Sequence, residues 1–321
     1  MNRYHLMHVT EFHYDAPVSD SYNEVRLRPL HDERQSCLSF RLTTNPASRI
    51  TSYRDATGNW VHQFNVLAEH RRLRVEAESV VLTHEAPPTG NGESLVEFDA
   101  HREEFLEEHY DYLGGTAYVP HLPVLLDLVT AAELACDGSV GDFAQTATNL
   151  IHERFHYVQG ATHVHSSIAD SLSHGAGVCQ DFAHVLLGIV RMRGIPGRYV
   201  SGYLVSGAAD TENAKQEEVI GGQASHAWVE VLVPGIGWMG FDPTLGEPVE
   251  LRHIRVAYGR DYGDVAPVRG VYRGRAGQRL CVDVRVRPVL DDDGHEKIGE
   301  TPMAIVPPTS VAERPQQQQQ Q

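Results

Sequence analysis

Four groups of residues could do chemistry, and they point to two different reactions. His152-Glu153-Arg154-Phe155-His156 has the spacing of a helical zinc site, in which two imidazoles four residues apart hold the metal and a glutamate serves as base. Cys179, His226 and Asp242 are far apart in sequence but supply a thiol nucleophile, a base and a carboxylate to orient that base. Which set is functional depends on the elements that carry them.

The zinc spacing lies on a segment with helical period. Asp142 reads as the N-cap, and Phe143, Ala147, Leu150, Ile151 and Phe155 form the apolar stripe. At about 100° per residue His152 and His156 then fall on the opposite face, in line with Gln145 and Asn149, as on a solvated surface. Gly160 and His163 each come one position too late for an extended zinc motif, and no second helix offers an obvious third ligand. Among 19 histidines a motif of three fixed positions arises easily, so no metal and no cofactor is expected.

Cys179 is better placed. Gly175 and Gly177 precede it, and Phe182, Ala183, Leu186, Leu187 and Val190 follow at a 3.6 period until Gly194 and Pro196 stop the helix. A thiol at a helix start meets unpaired backbone N–H groups that favour the thiolate. Further on, His226, Trp228 and Glu230 alternate with Val229, Val231 and Val233 as in a strand. Pro234-Gly-Ile-Gly237 turns the chain, and Trp238 to Asp242 returns. A register that sets Asp242 opposite His226 or one diagonal step away lets the carboxylate reach the imidazole. His184 reads as packing or a local hydrogen bond in the first turns of the cysteine helix, and His163 and His165 as solvated loop residues.

The rest of the 321-residue chain has the texture of two domains. Tyr4 to about Glu85 alternates as strands, including Cys37–Leu42 and Leu73–Ala77, with a turn at Asp55–Asn59. The stretch from Ala86 to Gly92 reads as a linker. The expected division is a β-rich domain over 1–88, a core over 89–300 that turns from helices to strands near Arg198, and a disordered tail over 301–321 ending in glutamines. Ser206 to Gly222 reads as an acidic loop, and Asp291–Gly294 as a charged turn.

A formal charge of −16 argues against nucleic acid and anionic membrane as partners. No leader-like apolar run follows the start, and four scattered cysteines without a Cys-x-x-Cys pair suit a reducing compartment, so a cytoplasmic location is expected. No oligomeric state is read from these features.

The chemistry-bearing segments resemble the transglutaminase-like superfamily of papain-type thiol enzymes, in the bacterial branch with a β-rich N-terminal domain. The likeness rests on Gly177-Val-Cys-Gln-Asp-Phe182, Arg198-Tyr-Val-Ser-Gly-Tyr203, His226-Ala-Trp228, Gly237-Trp-Met-Gly-Phe-Asp-Pro243, Gly259 to Pro267 and the opening Tyr4 to Leu30. One departure is Leu245, where the family pattern has a polar residue. The resemblance implies an α+β fold with the nucleophile helix packed on an antiparallel sheet. It also implies a catalytic set of Cys179, His226 and Asp242, with Gly177, Gln180, Tyr203 and Trp228 at the substrate cleft. The implied reaction is acyl transfer from a peptide or protein amide through a cysteine thioester, as in a cysteine peptidase or amidase. A protein-crosslinking transglutaminase and a non-catalytic binding module are the alternatives.

Overall fold

The computed structural model describes residues 1–84, 88–162, 166–205 and 225–289, with residues 104–106 by backbone alone. The acidic loop, His163 and His165, the Asp291–Gly294 turn, the tail and part of the linker lie outside the described residues. The architecture is α+β, as expected, in three layers.

The first layer is a seven-stranded antiparallel sheet built around one long strand. Strand β1 (Asn2–Val25) is flanked by β5 (His70–Thr83) and β4 (Trp60–Val66), with β2 (Gln35–Asn45) and β3 (Thr51–Arg54) at the edges. The period-2 pattern is literal in β5, where every second residue from Leu73 to Thr83 is buried. The turn before β4 forms because Asp55 Oδ1 accepts the N–H groups of Thr57 and Asn59 while Gly58 adopts a φ of +87°.

The second layer is a five-stranded antiparallel sheet. Its order is β11 (Glu247–Pro248), β10 (Gly237–Asp242), β9 (His226–Val233), β8 (Gly197–Leu204) and β12 (His253–Gly259). The third layer is helical: α1 (Leu95–Glu108), α2 (Leu125–Ala135), α3 (Val140–Arg154), α4 (Ile168–His174) and α5 (Cys179–Met192). Leu186, Ile189 and Val190 of α5 share one core with Val229, Val231 and Val233 of β9. A separate cluster joins Tyr203, Val205 and Ile254 to Tyr4, Leu6 and Val81, so the N-terminal sheet covers the face of the central sheet away from the helices. No helix is long and apolar enough to cross a membrane among the described residues.

Two expectations need correction. Strands β13 (Val268–Arg273) and β14 (Gln278–Pro288), assigned by sequence to the core, pair with β1 and complete the N-terminal sheet. Tyr4 to Tyr14 align with Pro288 to Gln278 without a break, a pairing across more than 260 residues that local pattern does not encode. The N-cap of α3 is Ser139 rather than Asp142: the Ser139 hydroxyl oxygen accepts the Asp142 N–H at 3.1 Å, and Asp142 sits in the first turn.

The two sheets are also joined by charge. Glu230 on β9 is fully buried and meets Arg198 at 2.6 Å, Arg34 at 3.2 Å and Arg255 at 3.4 Å. Burial raises the carboxyl, but the three guanidiniums outweigh it and hold it down to about 2. A depressed carboxyl stabilises the fold above its usual 4.5 and loses that contribution as pH falls through about 2. Glu230→Gln should therefore lower stability by about 3 kcal/mol at neutral pH by leaving buried guanidiniums short of a counter-charge. Urea midpoints of wild type and variant should converge as pH drops from about 4.5 toward 2; a gap constant over that window would show that the charge does not matter.

Candidate active site

The start of α5 is shaped to bring a thiol to the surface of the core. Chain entering it is anchored by a short parallel pair, β6 (His156–Tyr157) with β7 (Ala176–Gly177), in which His156 N–H donates to Gly175 O at 2.8 Å and Val158 N–H to Gly177 O at 2.9 Å. Asp181 folds back from the first turn and accepts the Val178 N–H at 2.8 Å. A Cβ at Gly177 would stand 2.7 Å from the Asp181 side chain, so only glycine fits there. Cys179 is left half-buried at the helix start.

His226 is the first residue of β9 and Asp242 the last of β10. The register Phe241↔Val229 sets Asp242 level with Trp228, one diagonal step from His226 on the same face. The His226 Nε2 to Asp242 Oδ2 distance is 2.6 Å, and Cys179 is near enough to act on the same imidazole. Since Nε2 is engaged by the carboxylate, Nδ1 is the ring nitrogen left to serve the thiol. Burial disfavours charge on His226, but the Asp242 carboxylate and Cys179 outweigh it and raise the imidazole to about 10. Asp242 is fully buried, which alone would raise its carboxyl; His226 and His253 hold it well below the usual range instead.

Asp242 is saturated with donors. Oδ1 accepts the Thr244 N–H at 2.9 Å and the Leu245 N–H at 3.3 Å, while Oδ2 takes His226 and, at 3.1 Å, His253 Nε2. Leu245 thus serves through its backbone, which a leucine supplies as well as a polar residue. His226, Asp242 and His253 are also the one group among the described residues whose ligand atoms lie close enough to share an ion. Both rings spend their Nε2 on the same oxygen, so the group is a hydrogen-bonded set around a carboxylate.

Comparison with known proteins identifies the family and the fold. Residues 4–82 match the bacterial transglutaminase-like N-terminal region, and residues 130–243 match the transglutaminase-like superfamily core. The chain is 35% identical over 292 residues to an uncharacterized protein of Mycobacterium leprae, covering 89% of this chain and 99% of that one. The chain belongs to the transglutaminase-like superfamily. It is also 33% identical over 308 residues to an uncharacterized protein of Mycobacterium tuberculosis, covering 92% and 95% of the two chains. A crystal structure of a candidate cysteine protease from Cytophaga hutchinsonii shares the fold, with a TM-score of 0.68, 20% identity and 91% and 92% coverage.

Within that superfamily fold the residues expected at the cleft divide. Gly177 and Gln180 flank Cys179. Tyr203 does not reach the cleft: it is buried between the two sheets, with its hydroxyl 2.9 Å from His8 Nδ1. Trp228 is fully buried with Val200 and Val249 and stands edge-on to His253, so it backs the histidines rather than lining a groove. His184 packs, as expected, and its Nε2 also accepts the Tyr262 N–H at 3.2 Å. It is buried against Tyr118 and Tyr199, and burial, helped by Arg191, lowers it to about 3.

The zinc-like spacing does not lie on one helix. α3 ends at Arg154, Phe155 is extended and His156 belongs to β6, so the two imidazoles do not share a helical face. Instead, His152 Nδ1–H donates to Thr244 O at 2.9 Å, and Gln145 Nε2–H donates to Gly246 O at 3.1 Å. The segment braces the turn after Asp242 at one end and the approach to Cys179 at the other. Sequence reading missed His253. The one signal was its place in the alternating run His253-Ile-Arg-Val-Ala257, where a histidine on a buried strand requires a polar partner.

Proposed function

We propose that the chain is a thiol acyl-transfer enzyme acting on peptide or protein amides, with Cys179 as nucleophile, His226 as acid and base, and Asp242 as the group that orients it. The observation carrying this reading is the buried His226, held at 2.6 Å by Asp242 on one side and raised by Cys179 at the start of α5. A raised imidazole facing a thiol favours the thiolate–imidazolium pair. The Cys179 thiolate adds to the amide carbonyl, and the oxyanion is met by backbone N–H groups at the start of α5, which have no intrahelical partner. The tetrahedral adduct collapses as His226 Nδ1–H protonates the leaving amine, giving a thioester and neutral imidazole. His226 then takes a proton from water, whose oxygen attacks the thioester, and keeps it as Cys179 departs as thiolate, which restores the resting ion pair. Four unpaired cysteines and a formal charge of −16 suit a cytoplasmic hydrolase without nucleic-acid or membrane partners.

Water and amine compete for the same thioester, so partition is the test. A protein mixture with dimethylated lysines, incubated with the enzyme and dansylcadaverine, should develop new α-amino groups or free ammonia. Incorporation of the fluorescent amine in one-to-one proportion with the ammonia released, and no new α-amino groups, would make the chain a crosslinking transglutaminase, because aminolysis of a glutamine amide expels ammonia as hydrolysis does. No product of either kind, together with an unreactive Cys179, would make it a binding module.

A further inference from the structure

His253 stands behind the proposed reacting set, touching neither sulfur nor substrate, yet it shares an oxygen with His226. It opens β12, is 4% exposed, and its Nδ1 accepts the Glu250 N–H at 3.1 Å. A nitrogen that accepts carries no proton, so the proton of the neutral ring is on Nε2, which donates to Asp242 Oδ2 at 3.1 Å. Trp228 wedges both rings: its ring centroid lies 5.2 Å from that of His253 and 6.1 Å from that of His226. We propose that His253 is a positioning residue that fixes Asp242 Oδ2, and through it the orientation of His226 toward Cys179. The proposal rests on reading Cys179, His226 and Asp242 as the reacting set.

The surroundings keep His253 a neutral donor. Burial lowers its imidazole, the Asp242 carboxylate opposes that, and His226 and Arg252 add to the lowering. On its other side Arg34, Glu250 and Arg255 line a small cleft between the sheets. The start of β12 is pinned from the N-terminal sheet: Gln35 Nε2–H donates to Arg255 O at 2.8 Å, and Gln35 Oε1 accepts the Arg255 N–H at 2.8 Å. The N-terminal layer thus sets the strand that holds the donor, which links the two sheets to the site by a route of hydrogen bonds.

Glutamine and methionine separate positioning from packing, because they have the same length and differ in the polar end. His253→Gln places an amide N–H where Nε2–H now lies but cannot accept from Glu250, so it keeps the bond to Asp242 and loses the one behind it. His253→Met keeps neither. Both variants should melt below wild type. The rate of Cys179 alkylation by iodoacetamide at pH 7 should fall about tenfold in His253→Met and stay within about threefold of wild type in His253→Gln. Equal slowing in both variants, or wild-type rate in His253→Met, overturns the proposal. If His253→Met does not fold, the Gln rate decides alone: retention supports the proposal and a tenfold loss overturns it. A wild-type Cys179 no faster than the other three cysteines would instead defeat the reading of the reacting set itself.

Discussion

Cys179→Ala should abolish amide turnover, with a fall of roughly 10⁴ to 10⁶ in rate, while the protein remains folded. The size follows from the proposed chemistry: without sulfur no thioester forms, and oxyanion stabilisation alone leaves only a small residue of catalysis. Folding should survive because Cys179 is half-buried at a helix start and forms no disulfide. Alanine there removes one atom and suits a helix. Circular dichroism and the melting temperature check the fold, and release of α-amino groups checks turnover. Turnover at the wild-type rate would remove Cys179 from the mechanism.

The second large effect belongs to Asp242→Asn. The side chain now accepts four N–H donors, two on each oxygen. An asparagine can keep only one oxygen, so its amide N–H₂ must face either the two imidazole Nε2–H groups or the backbone N–H groups of Thr244 and Leu245. If it faces the rings, His226 must shift its proton to Nδ1, the nitrogen that should accept from Cys179. If it faces the backbone, the turn after β10 is pushed away. Either outcome spoils the thiolate–imidazolium pair, and turnover should fall by roughly 10³ to 10⁴, as when a buried triad carboxylate is neutralised. The loss should appear in kcat, with KM little changed, since Asp242 is fully buried and touches no substrate.

The parts of this site legible in the sequence are those that local periodicity controls. A 3.6 period after Gly177 places Cys179 at a helix start, and a 2 period around His226 with a Pro-Gly turn puts Asp242 on the returning strand. The observed hairpin register bears out that geometry. Tyr203 was misplaced because the resemblance marks the strand that carries it, not what covers its side chain; here the cover is the N-terminal sheet. The pairing of β13 and β14 was equally hidden, because their partner β1 lies at the opposite end of the chain. His253 sits 11 residues beyond Asp242 and at the far edge of the sheet from β11, so only tertiary folding brings the two together. At His152–His156 the helical period was read one residue too far: its apolar stripe runs on to Phe155, but the helix stops at Arg154.

The central claim is that His226 and Asp242 activate one thiol of four. Burial pushes the Cys37 thiol up, which makes it a slow internal reference. Intact-mass spectrometry after a short exposure to iodoacetamide at pH 7, with peptide mapping of the adduct, compares all four cysteines in one sample. The account predicts a single early adduct on Cys179, formed at least tenfold faster than on Cys37, Cys136 or Cys281, and lost from that early window in Asp242→Asn. Labelling of Cys179 at the pace of the other three, or with equal speed in wild type and Asp242→Asn, would contradict it.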